Sequence, residues 1–543
     1  MNPPTDASAV VTTAAAATGG ATIGTAATGA ATTGAATTGA VPHAALALSP
    51  RTRALLHDPI LPTLLRLSWP NILVMVAQAA SGLIETWFVA RLGTDALAGM
   101  ALVFPGVMLM QMISAGAMGG GISSAIARAL GARRQDQADE LVLHALIINI
   151  GLGVVCSAVV LVFGPSLYAV LGGRGASLAA ALAYSNVVFL GTPLLWLMNG
   201  LASVIRGTGN MVVPALVICG GVALLVPLSP CLIFGIGPFP ALGVAGGGAA
   251  LVTFYAAGTV VLAAYVLSGR NAARFRLVAL RWSPFREILR VGAVASLTSV
   301  QTNVTVALTT ALAASFGTEA VAGYGTGARL EYLLVPLVFG LGGPLVAMVG
   351  TNIGAGQRAR ALRAAWTGAA LAFVLTEAVG LAAALHPDAW LGLFDHDPAM
   401  LASGAAYLRV VGPFYGCFGL GLALYFASQG AGRLLWPVVA GMLRMIVAIG
   451  GGLVALRTTG SLHWLFAALA LGLLAYGATI AAAVAGGAWF PRRSAYPTEQ
   501  PAIRFPAAQS PAFQSLAALS TVANAPAACP PGSRPLAPQQ TAR

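Results

Sequence analysis

Apolar runs separated by short polar loops dominate the chain between about residues 60 and 490. An α-helix needs about 20 mostly apolar residues to cross a bilayer. Helices in lipid also tolerate the Gly and Pro residues that interrupt several of these runs. The pattern predicts an all-α integral membrane protein with twelve transmembrane helices. The runs cover residues 61–91, 96–129, 138–164, 177–206, 210–235, 239–268, 284–315, 320–353, 358–386, 398–429, 433–457 and 461–490.

The second half of the chain repeats the first. Residues 65–100 align without a gap with residues 289–324, at an offset of 224 positions, and each copy contains a Gly-Thr-Asp/Glu-Ala-Leu/Val-Ala-Gly turn. The Arg-Gly-Thr-Gly-Asn sequence at 206–210 is echoed by Gln-Gly-Ala-Gly-Arg at 429–433. Repeats of this kind predict two copies of one structural unit. Six helices in each copy make the repeats parallel, with a ligand site between them near mid-membrane.

The repeat divides the chain into five predicted regions. They are a disordered Ala/Thr/Gly-rich tail at 1–57, an N-lobe of helices 1–6 at 58–269, a cytoplasmic linker at 270–283, a C-lobe of helices 7–12 at 284–490 and a disordered Pro/Ala-rich tail at 491–543.

Composition supports lipid as the main solvent of this chain. Of its 543 residues, 58% are apolar and 8% are charged, with a mean hydropathy of +0.84, whereas a soluble domain has roughly a quarter charged residues. The net charge of +13 comes from Arg alone, since the sequence contains no Lys. These arginines lie mostly in short loops, so we expect no nucleic-acid partner, which would need a clustered basic surface.

The arginines also predict the orientation of the chain. With the N-terminus inside, nineteen loop or helix-end arginines lie on the cytoplasmic side, and only Arg91, Arg174 and Arg457 lie on the outer side. The positive-inside rule therefore places both termini in the cytoplasm and the chain in the inner membrane. No basic residue precedes Arg51, so neither a signal peptide nor a transit peptide is predicted.

Motifs for catalysis are missing. Without Lys the chain has no P-loop, and none of its six histidines belongs to a His-Glu-x-x-His motif. The five cysteines show no metal-binding spacing. We predict neither an enzyme nor a metal or cofactor site, and no disulfides. Transport against a gradient would then draw on H⁺ or Na⁺.

Acids inside the apolar runs are the candidates for ion coupling. A carboxylate in lipid costs about 3 kcal/mol or more, and a bound proton or Na⁺ relieves that cost. Glu85 is the first choice, about 22 Å beyond Pro70 along its helix. It would alternatively snorkel to the outer surface or pair with Arg91. Glu331 is the second choice, with a structural ion pair as the alternative, and Glu377 is weaker.

Polar uncharged side chains in the runs are candidates for a substrate cavity, although each is alternatively a hydrogen-bonding contact between helices. They are Gln78, Gln111, Asn149, Asn186, Asn199, Ser229, Gln301, Asn303, Tyr324 and Gln429, and our predicted cavity set is Gln78, Asn199, Ser229, Asn303 and Tyr324.

Several of these residues stand in motifs of a known family. Leu-Arg-Leu-Ser-Trp-Pro at 65–70, the run from Glu85 to Ala98, the Ser-Ser-Ala-Ile-Ala-Arg-Ala-Leu-Gly-Ala-Arg segment at 123–133 and the 206–210 turn resemble multidrug and toxic compound extrusion (MATE) transporters over about 60–490. The resemblance implies a V-shaped pair of six-helix bundles that exports organic cations in exchange for H⁺ or Na⁺. It also implies that Pro70 is the bending proline, Glu85 the helix-1 acid, and Gln78 and Asn199 polar positions of the N-lobe cavity.

The chain departs from the family pattern at three places. The helix-5 acid is replaced by Ser229 in Leu-Ser-Pro, the helix-7 Glu of the sodium-coupled branch falls at Thr302 or Asn303, and helix 10 has no acid. Glu85, with Glu331 as a second site, is left to carry coupling.

We therefore predict a monomeric multidrug antiporter that exports amphipathic organic cations, with protons preferred over sodium. One alternative is a lipid-linked flippase, which needs a cationic cavity that Arg329, Arg409 and Arg444 would supply. The other is a non-transporting membrane scaffold, suggested by the missing acid at Ser229.

Overall fold

The computed structural model describes residues 48–394 and 396–490, and secondary structure in these ranges is entirely helical. Eleven helices are long and apolar enough to span a membrane, and a bent helix pair supplies a twelfth span. The twelve predicted spans and the all-α class are confirmed. The predicted tail at 491–543 lies outside the described residues, as do residues 1–47 of the N-terminal tail.

The first repeat contains α1 to α9 and the second α10 to α17. The helices of the first repeat are α1 Pro50–His57, α2 Ile60–Ala90, α3 Thr94–Gln111, α4 Gly119–Gly131, α5 Gln135–Val170, α6 Gly175–Leu190, α7 Thr192–Gly207, α8 Val212–Phe234 and α9 Val244–Leu267. Those of the second are α10 Trp282–Ala314, α11 Thr318–Gly354, α12 Arg358–Leu385, α13 Pro387–Leu391, α14 Pro398–Val411, α15 Tyr415–Ala431, α16 Leu435–Thr458 and α17 Leu462–Ala485.

Large apolar side chains cover the outside of the spans. Leu83, Val162, Leu216 and Val374 are each more than 60% exposed. An apolar surface of this extent is unfavourable in water and favourable against lipid tails. The exposed rings and aliphatic chains therefore mark the lipid-facing surface, and the small and polar residues lie inside the lobes.

Two of the predicted spans are not single straight helices. The run predicted at 177–206 divides at Gly191 into α6 and α7, which meet at 45°, because Pro193, two residues later, lacks an amide hydrogen. The run predicted at 398–429 is broken by a short 3₁₀ turn at Gly412–Phe414. Glu377 satisfies the backbone there, since its Oε2 accepts a hydrogen bond from the amide of Gly416 at 2.7 Å. This contact gives Glu377 a structural role.

The prediction of a disordered tail through residue 57 is wrong for its last residues. Residues 50–57 form α1, whose amide at Thr52 donates to Oγ of the N-cap Ser49 at 3.1 Å. Leu55 and Leu56 are 2% and 4% exposed. The helix is too short to be recognised by apolar length, and burial of these leucines stabilises it.

The segment between α9 and α10 is bound along the side of α5. The amide of Arg274 donates to Oδ1 of Asp139 at 2.8 Å, and the amide of Arg281 donates to Nε2 of His144 at 3.1 Å. The ring of Phe285, in the first turn of α10, packs edge-on against His144. The linker predicted at 270–283 is non-helical up to Arg281, and it belongs structurally to the first lobe.

We call the end of the bundle that carries this segment the linker end. Here α4 and α11 cross closely, since Gly131 lies against the carbonyl of Thr351 and Gly354 against that of Arg128. A side chain at either glycine would collide with the opposite backbone. The two lobes are thus in direct backbone contact at this end.

Side-chain hydrogen bonds reinforce the crossing. Arg128 donates through Nη1 to the carbonyl of Gly430 at 3.2 Å and through Nη2 to Oε1 of Glu287 at 3.1 Å. Closer to mid-span, Nε2 of Gln429 donates to the carbonyls of Gly116 and Ala117, which lie in a π-helical segment at Met112–Met118 between α3 and α4. These contacts join the lobes at the linker end and along α4 as far as the π-helical segment.

Candidate functional site

Glu85 lies inside the first lobe. Its side chain belongs to α2 and the residue is only 7% exposed, so it does not snorkel to the surface. Arg91, the alternative partner, instead places its guanidinium over the ring of Trp87, 3.8 Å from the centroid. The α2 helix runs without interruption through the buried Pro70, which leaves the predicted bending role as a prediction.

The partner of Glu85 is a neutral hydroxyl. Tyr184 on α6 donates a hydrogen bond to Oε1 of Glu85 at 3.1 Å. Gly247 on α9 faces the same oxygen, and a Cβ there would come within 3.2 Å of it. Tyr255, also on α9, is close enough to interact electrostatically with the carboxylate. The carboxyl group on α2 is therefore packed between α6 and α9 inside the first lobe.

Ser229, at the position where the family resemblance implies a second acid, is also inside the first lobe. The residue is 2% exposed, and its Oγ has no hydrogen-bond partner among the described residues. An unsatisfied buried hydroxyl costs free energy. Its side chain supplies neither a titratable group nor a hydrogen bond to the protein in this structure.

Glu331 forms an ion pair in the second lobe. Nη2 of Arg444 on α16 donates to Oε1 of Glu331 on α11 at 3.0 Å. The guanidinium also lies against the rings of Phe418 and Tyr476, at 5.3 and 5.9 Å from their centroids. The pair is partly buried, with side-chain exposures of 15% for Arg444 and 21% for Glu331. Glu331 is thus an acid whose charge is compensated by an arginine.

Two cavities meet at Arg444. The larger, about 190 Å³, is lined by Met112, Gly116, Thr298, Ser299, Gln301, Thr302, Asn303, Thr305, Val306, Val335, Phe339, Phe418, Leu422, Tyr425, Phe426, Gly441, Arg444 and Tyr476. The smaller, about 30 Å³, is lined by Thr305, Val306, Thr309, Tyr324, Glu331, Tyr407, Val411, Arg444, Ala448, Leu469 and Leu473. The larger cavity lies almost wholly in the second lobe, against the π-helical segment of the first.

The structure does not bring the five predicted cavity residues together. Asn303 lines the larger cavity and Tyr324 the smaller one. Asn199 is buried in the first lobe, where it donates to Oγ of Ser114 at 2.9 Å, and Ser229 is enclosed there too. Gln78 is partly exposed on α2. A role in substrate binding stays a prediction for each of them.

The three arginines considered for a cationic cavity have different surroundings. Arg329 lies over the ring of Phe394, 5.4 Å from its centroid. Arg409 is exposed on α14. Of the three, Arg444 alone lines the cavities described above, and it is paired with Glu331.

Comparison with known proteins assigns both halves of the chain to one family. The sequence profile of the MatE family matches residues 70–231 and again residues 295–454, once in each half. The chain belongs to the MATE family of transporters. The membrane location and the assignment to transport follow from that membership, and the two matches coincide with the two lobes of the MATE fold.

Relatives of this MATE protein carry more than one assigned function. A FAD transporter of Shewanella oneidensis is 29% identical over 398 residues, which cover 72% of this chain and 87% of the relative. A probable multidrug resistance protein, NorM, of Thermotoga maritima is 25% identical, with 69% and 81% covered. A crystal structure of a MATE protein in complex with MaD3S superimposes with a TM-score of 0.75 at 23% identity, covering 82% of this chain and 99% of that one. It shares the V-shaped fold.

Sequence reasoning missed the partners of both acids. Tyr184 lies 99 residues from Glu85 along the chain, and Arg444 lies 113 residues from Glu331. Gln301 was recognised only as one polar residue among several. Apolar runs and motifs carry no signal for such pairings, which depend on how helices of one lobe pack.

Proposed function

We propose that this MATE protein is a secondary active efflux antiporter of the inner membrane that exports amphipathic organic cations in exchange for protons. The observation that carries the exchange is Glu85, a buried carboxyl group in a membrane-spanning helix whose hydrogen-bond partner is the neutral hydroxyl of Tyr184. None of the ion pairs formed by the described residues includes Glu85.

Because Glu85 is buried, proton binding to its carboxyl group would change which conformation of the protein is favoured. An ionised carboxylate inside a membrane protein costs about 3 kcal/mol or more unless it is compensated. A proton removes that cost, so the protonated form favours the buried position of Glu85 and the ionised form favours an arrangement that admits water. A ligand shifts a conformational equilibrium only by its unequal affinity for the two states, and the proton meets this condition here.

Protons are better supported than sodium ions. A sodium ion is usually held by several oxygen ligands, whereas Oε1 of Glu85 is bonded by a single tyrosine hydroxyl. No group of three or more acidic, His or Cys side chains is gathered in residues 48–394 and 396–490. Ser229 stands at the position where the family resemblance implies a second acid. Sodium coupling is the alternative.

The substrate class rests on the relatives. A relative named as a probable multidrug resistance protein supports export of drugs, and the family resemblance implies that these are organic cations. The relative named as a FAD transporter makes an anionic dinucleotide the alternative substrate.

The other two candidate functions have less support. A flippase for lipid-linked pyrophosphates needs a strongly cationic cavity between the lobes, but the cavities at Arg444 contain this one arginine, which is paired with Glu331. Arg290 and Arg433 line a separate cavity of about 320 Å³, whose wall belongs to the second lobe alone. A scaffold without transport has no use for Glu85, whose burial is costly and whose charge is left without a counter-ion. Antiport gives the buried carboxyl group of Glu85 a role.

The deciding experiment uses the purified full chain in liposomes. Ethidium movement is followed by fluorescence while either a proton gradient or a sodium gradient is imposed. The proposal expects movement with ΔpH, abolished by an uncoupler and unchanged by sodium. Ethidium movement that follows only the sodium gradient would show that sodium, and not the proton, is the coupling ion. No movement under either gradient would refute ion-coupled export of cations.

We expect a monomer with both termini on the side that faces the cytoplasm.

A further inference from the structure

Two arginines share a third cavity, on the second lobe at the linker end. The space of about 320 Å³ lies between α10, α16 and the residues that follow α17, and its wall includes Arg290 and Arg433. Both arginines are exposed. None of the ion pairs formed by the described residues includes either of them. The cavity therefore presents two positive charges without an acidic partner in the part of the chain that the structure describes.

The acid nearest to this cavity along α10 has other partners. Glu287 lies one turn before Arg290. Its Oε1 accepts a hydrogen bond from Arg128 at 3.1 Å, and its Oε2 accepts one from Gln137 at 3.2 Å. Both carboxylate oxygens are thus used by side chains of the first lobe. An anion at the cavity would meet the two arginines without a competing carboxylate in the described wall.

The first lobe does not repeat this pair of charges. Arg290 corresponds to Arg66 at the offset of 224 residues, and Arg66 is paired with Asp58 at 3.9 Å. Arg433 corresponds to Asn210 at the offset of 223 residues, and Asn210 is neutral and buried. The two uncompensated arginines are therefore a property of the second lobe and not a requirement of the shared fold.

The two arginines lie at the depth of lipid headgroups. Arg433 precedes α16, Leu435–Thr458, whose 24 residues are about 36 Å long at 1.5 Å per residue. The hydrocarbon core of a bilayer is about 30 Å thick, so the start of α16 lies near its boundary. Trp436, in the first turn of α16, is exposed and lines the same cavity. Tryptophan is enriched at this boundary in membrane proteins.

An apolar groove continues from the arginines toward the membrane interior. Three apolar residues of α10 line the cavity beyond Arg290, namely Val291, Val294 and Leu297. Leu297 is exposed and lies about 10 Å further along the helix than Arg290. Val438 on α16 lines the same space. A charged rim followed by an apolar groove matches the order of groups in a phospholipid, from headgroup to acyl chain.

We propose that this cavity binds an anionic phospholipid, with its phosphate at Arg290 and Arg433 and one acyl chain in the apolar groove. The fork of N–H groups on an arginine donates parallel hydrogen bonds to phosphate oxygens. Basic pockets between membrane helices are suited to anionic headgroups for this reason. The bound lipid connects α10 to α16 within the second lobe. Binding needs neither a gradient nor a substrate, so this inference goes beyond the proposed export function and does not depend on it.

Quenching of Trp436 fluorescence measures this binding in the purified full chain in neutral detergent. Two lipids with the same brominated acyl chains are titrated: phosphatidylglycerol, which is anionic, and phosphatidylethanolamine, whose ammonium group neutralises the phosphate. The signal of the site is the quenching that disappears in the Trp436→Phe variant. In the wild type we expect phosphatidylglycerol to bind about tenfold or more tightly, because charge-assisted contacts favour the anionic headgroup. Glycerol phosphate, which lacks acyl chains, should not displace it.

Two paired variants with the same change in net charge separate this site from general attraction to a basic surface. Arg290→Gln with Arg433→Gln should bring the affinity ratio of the two lipids close to one. Arg281→Gln with Arg286→Gln removes two exposed arginines at the start of the same helix, outside the cavity wall. This control should keep the wild-type ratio. Thermal unfolding confirms that each variant is folded.

The inference is overturned if the wild type binds the two lipids equally, if the ratio survives the loss of Arg290 and Arg433, or if both paired variants lower it alike. Quenching that is unchanged in Trp436→Phe would place the lipid elsewhere on the protein and refute this site. Displacement of phosphatidylglycerol by glycerol phosphate would show a site for soluble phosphates and would refute the lipid.

Discussion

The hydroxyl of Tyr184 donates a hydrogen bond to Oε1 of Glu85 across 3.1 Å, inside the first lobe and away from the larger cavity. The residue that would take up the proton and the larger cavity at Arg444 therefore lie in different parts of the molecule. A proton at Glu85 and a substrate in this cavity would not compete for one side chain. Coupling between the two would therefore require the helices to change their relative positions.

Replacement of Glu85 by Gln should abolish substrate movement driven by ΔpH. The amide has the same size as the carboxyl group but cannot bind or release a proton. Ethidium efflux from liposomes measures this loss. The matched control is Glu319→Gln, an exposed acid in the first turn of α11, which should transport normally. Full efflux by the Glu85→Gln variant would show that another group couples transport.

Replacement of Tyr184 by Phe should slow ΔpH-driven transport by about tenfold, because the carboxylate loses one charge-assisted hydrogen bond of roughly 1.5 kcal/mol. The initial rate of dye efflux measures it. Tyr168→Phe is the control, since the Tyr168 hydroxyl bonds to Oγ of Ser185 at 2.7 Å in the same lobe. Equal rates in the two variants would contradict a specific role for the Tyr184 hydroxyl.

Replacement of Glu287 by Gln should favour opening at the linker end. The change removes the ion pair with Arg128 that joins the lobes at 3.1 Å, and it should raise the open-to-closed ratio by about tenfold. Spin labels at Arg134→Cys and Arg363→Cys, in a background without the native cysteines, report the separation of the lobes. Asp136→Asn, which removes an exposed pair with Arg276, should leave the distances unchanged. Identical distances in the Glu287→Gln protein would exclude this latch.

Replacement of Leu55 by Ala should destabilise the protein by about 2–5 kcal/mol, because its side chain is buried and leaves a cavity. The loss appears as a lower apparent Tm in detergent. Leu61→Ala removes the same atoms from a side chain that is 46% exposed and should change the Tm little. If the two variants melt together, α1 contributes nothing to the packed structure.

Long-range features of this fold were readable from sequence because they depend on repeated local signals. Apolar length predicted the spans, and the 224-residue offset predicted the two lobes. The break at Gly412–Phe414 and the bend at Gly191 had signals too, a Gly-Pro pair and a Pro two residues after a Gly. The apolar runs on both sides outweighed these signals. The short α1 was missed because burial against other helices stabilises it.

The sequence identified individual candidate residues of the site, but it did not predict which of them lie together in the folded protein. The cost of an acid in lipid selected Glu85 correctly as a buried group, and Glu331 has the interhelical ion pair that was its alternative. Sequence gives no rule for which polar side chains face one cavity, so Asn199 and Asn303 were grouped although Asn303 lines the larger cavity and Asn199 is hydrogen-bonded inside the first lobe. That grouping depends on helix rotation, which packing determines.

The attachment of residues 268–281 to α5 determines where the second lobe is able to turn. Asp139 and His144 hold the backbone of this stretch, and Phe285 extends the attachment into α10. We expect these residues to move with the first lobe, so that any rotation of the second lobe would begin in the first turn of α10, beside Glu287. Residues inserted before Arg274 would lengthen a segment that is already attached to the first lobe. We therefore expect such an insertion to leave the range of movement of the second lobe unchanged.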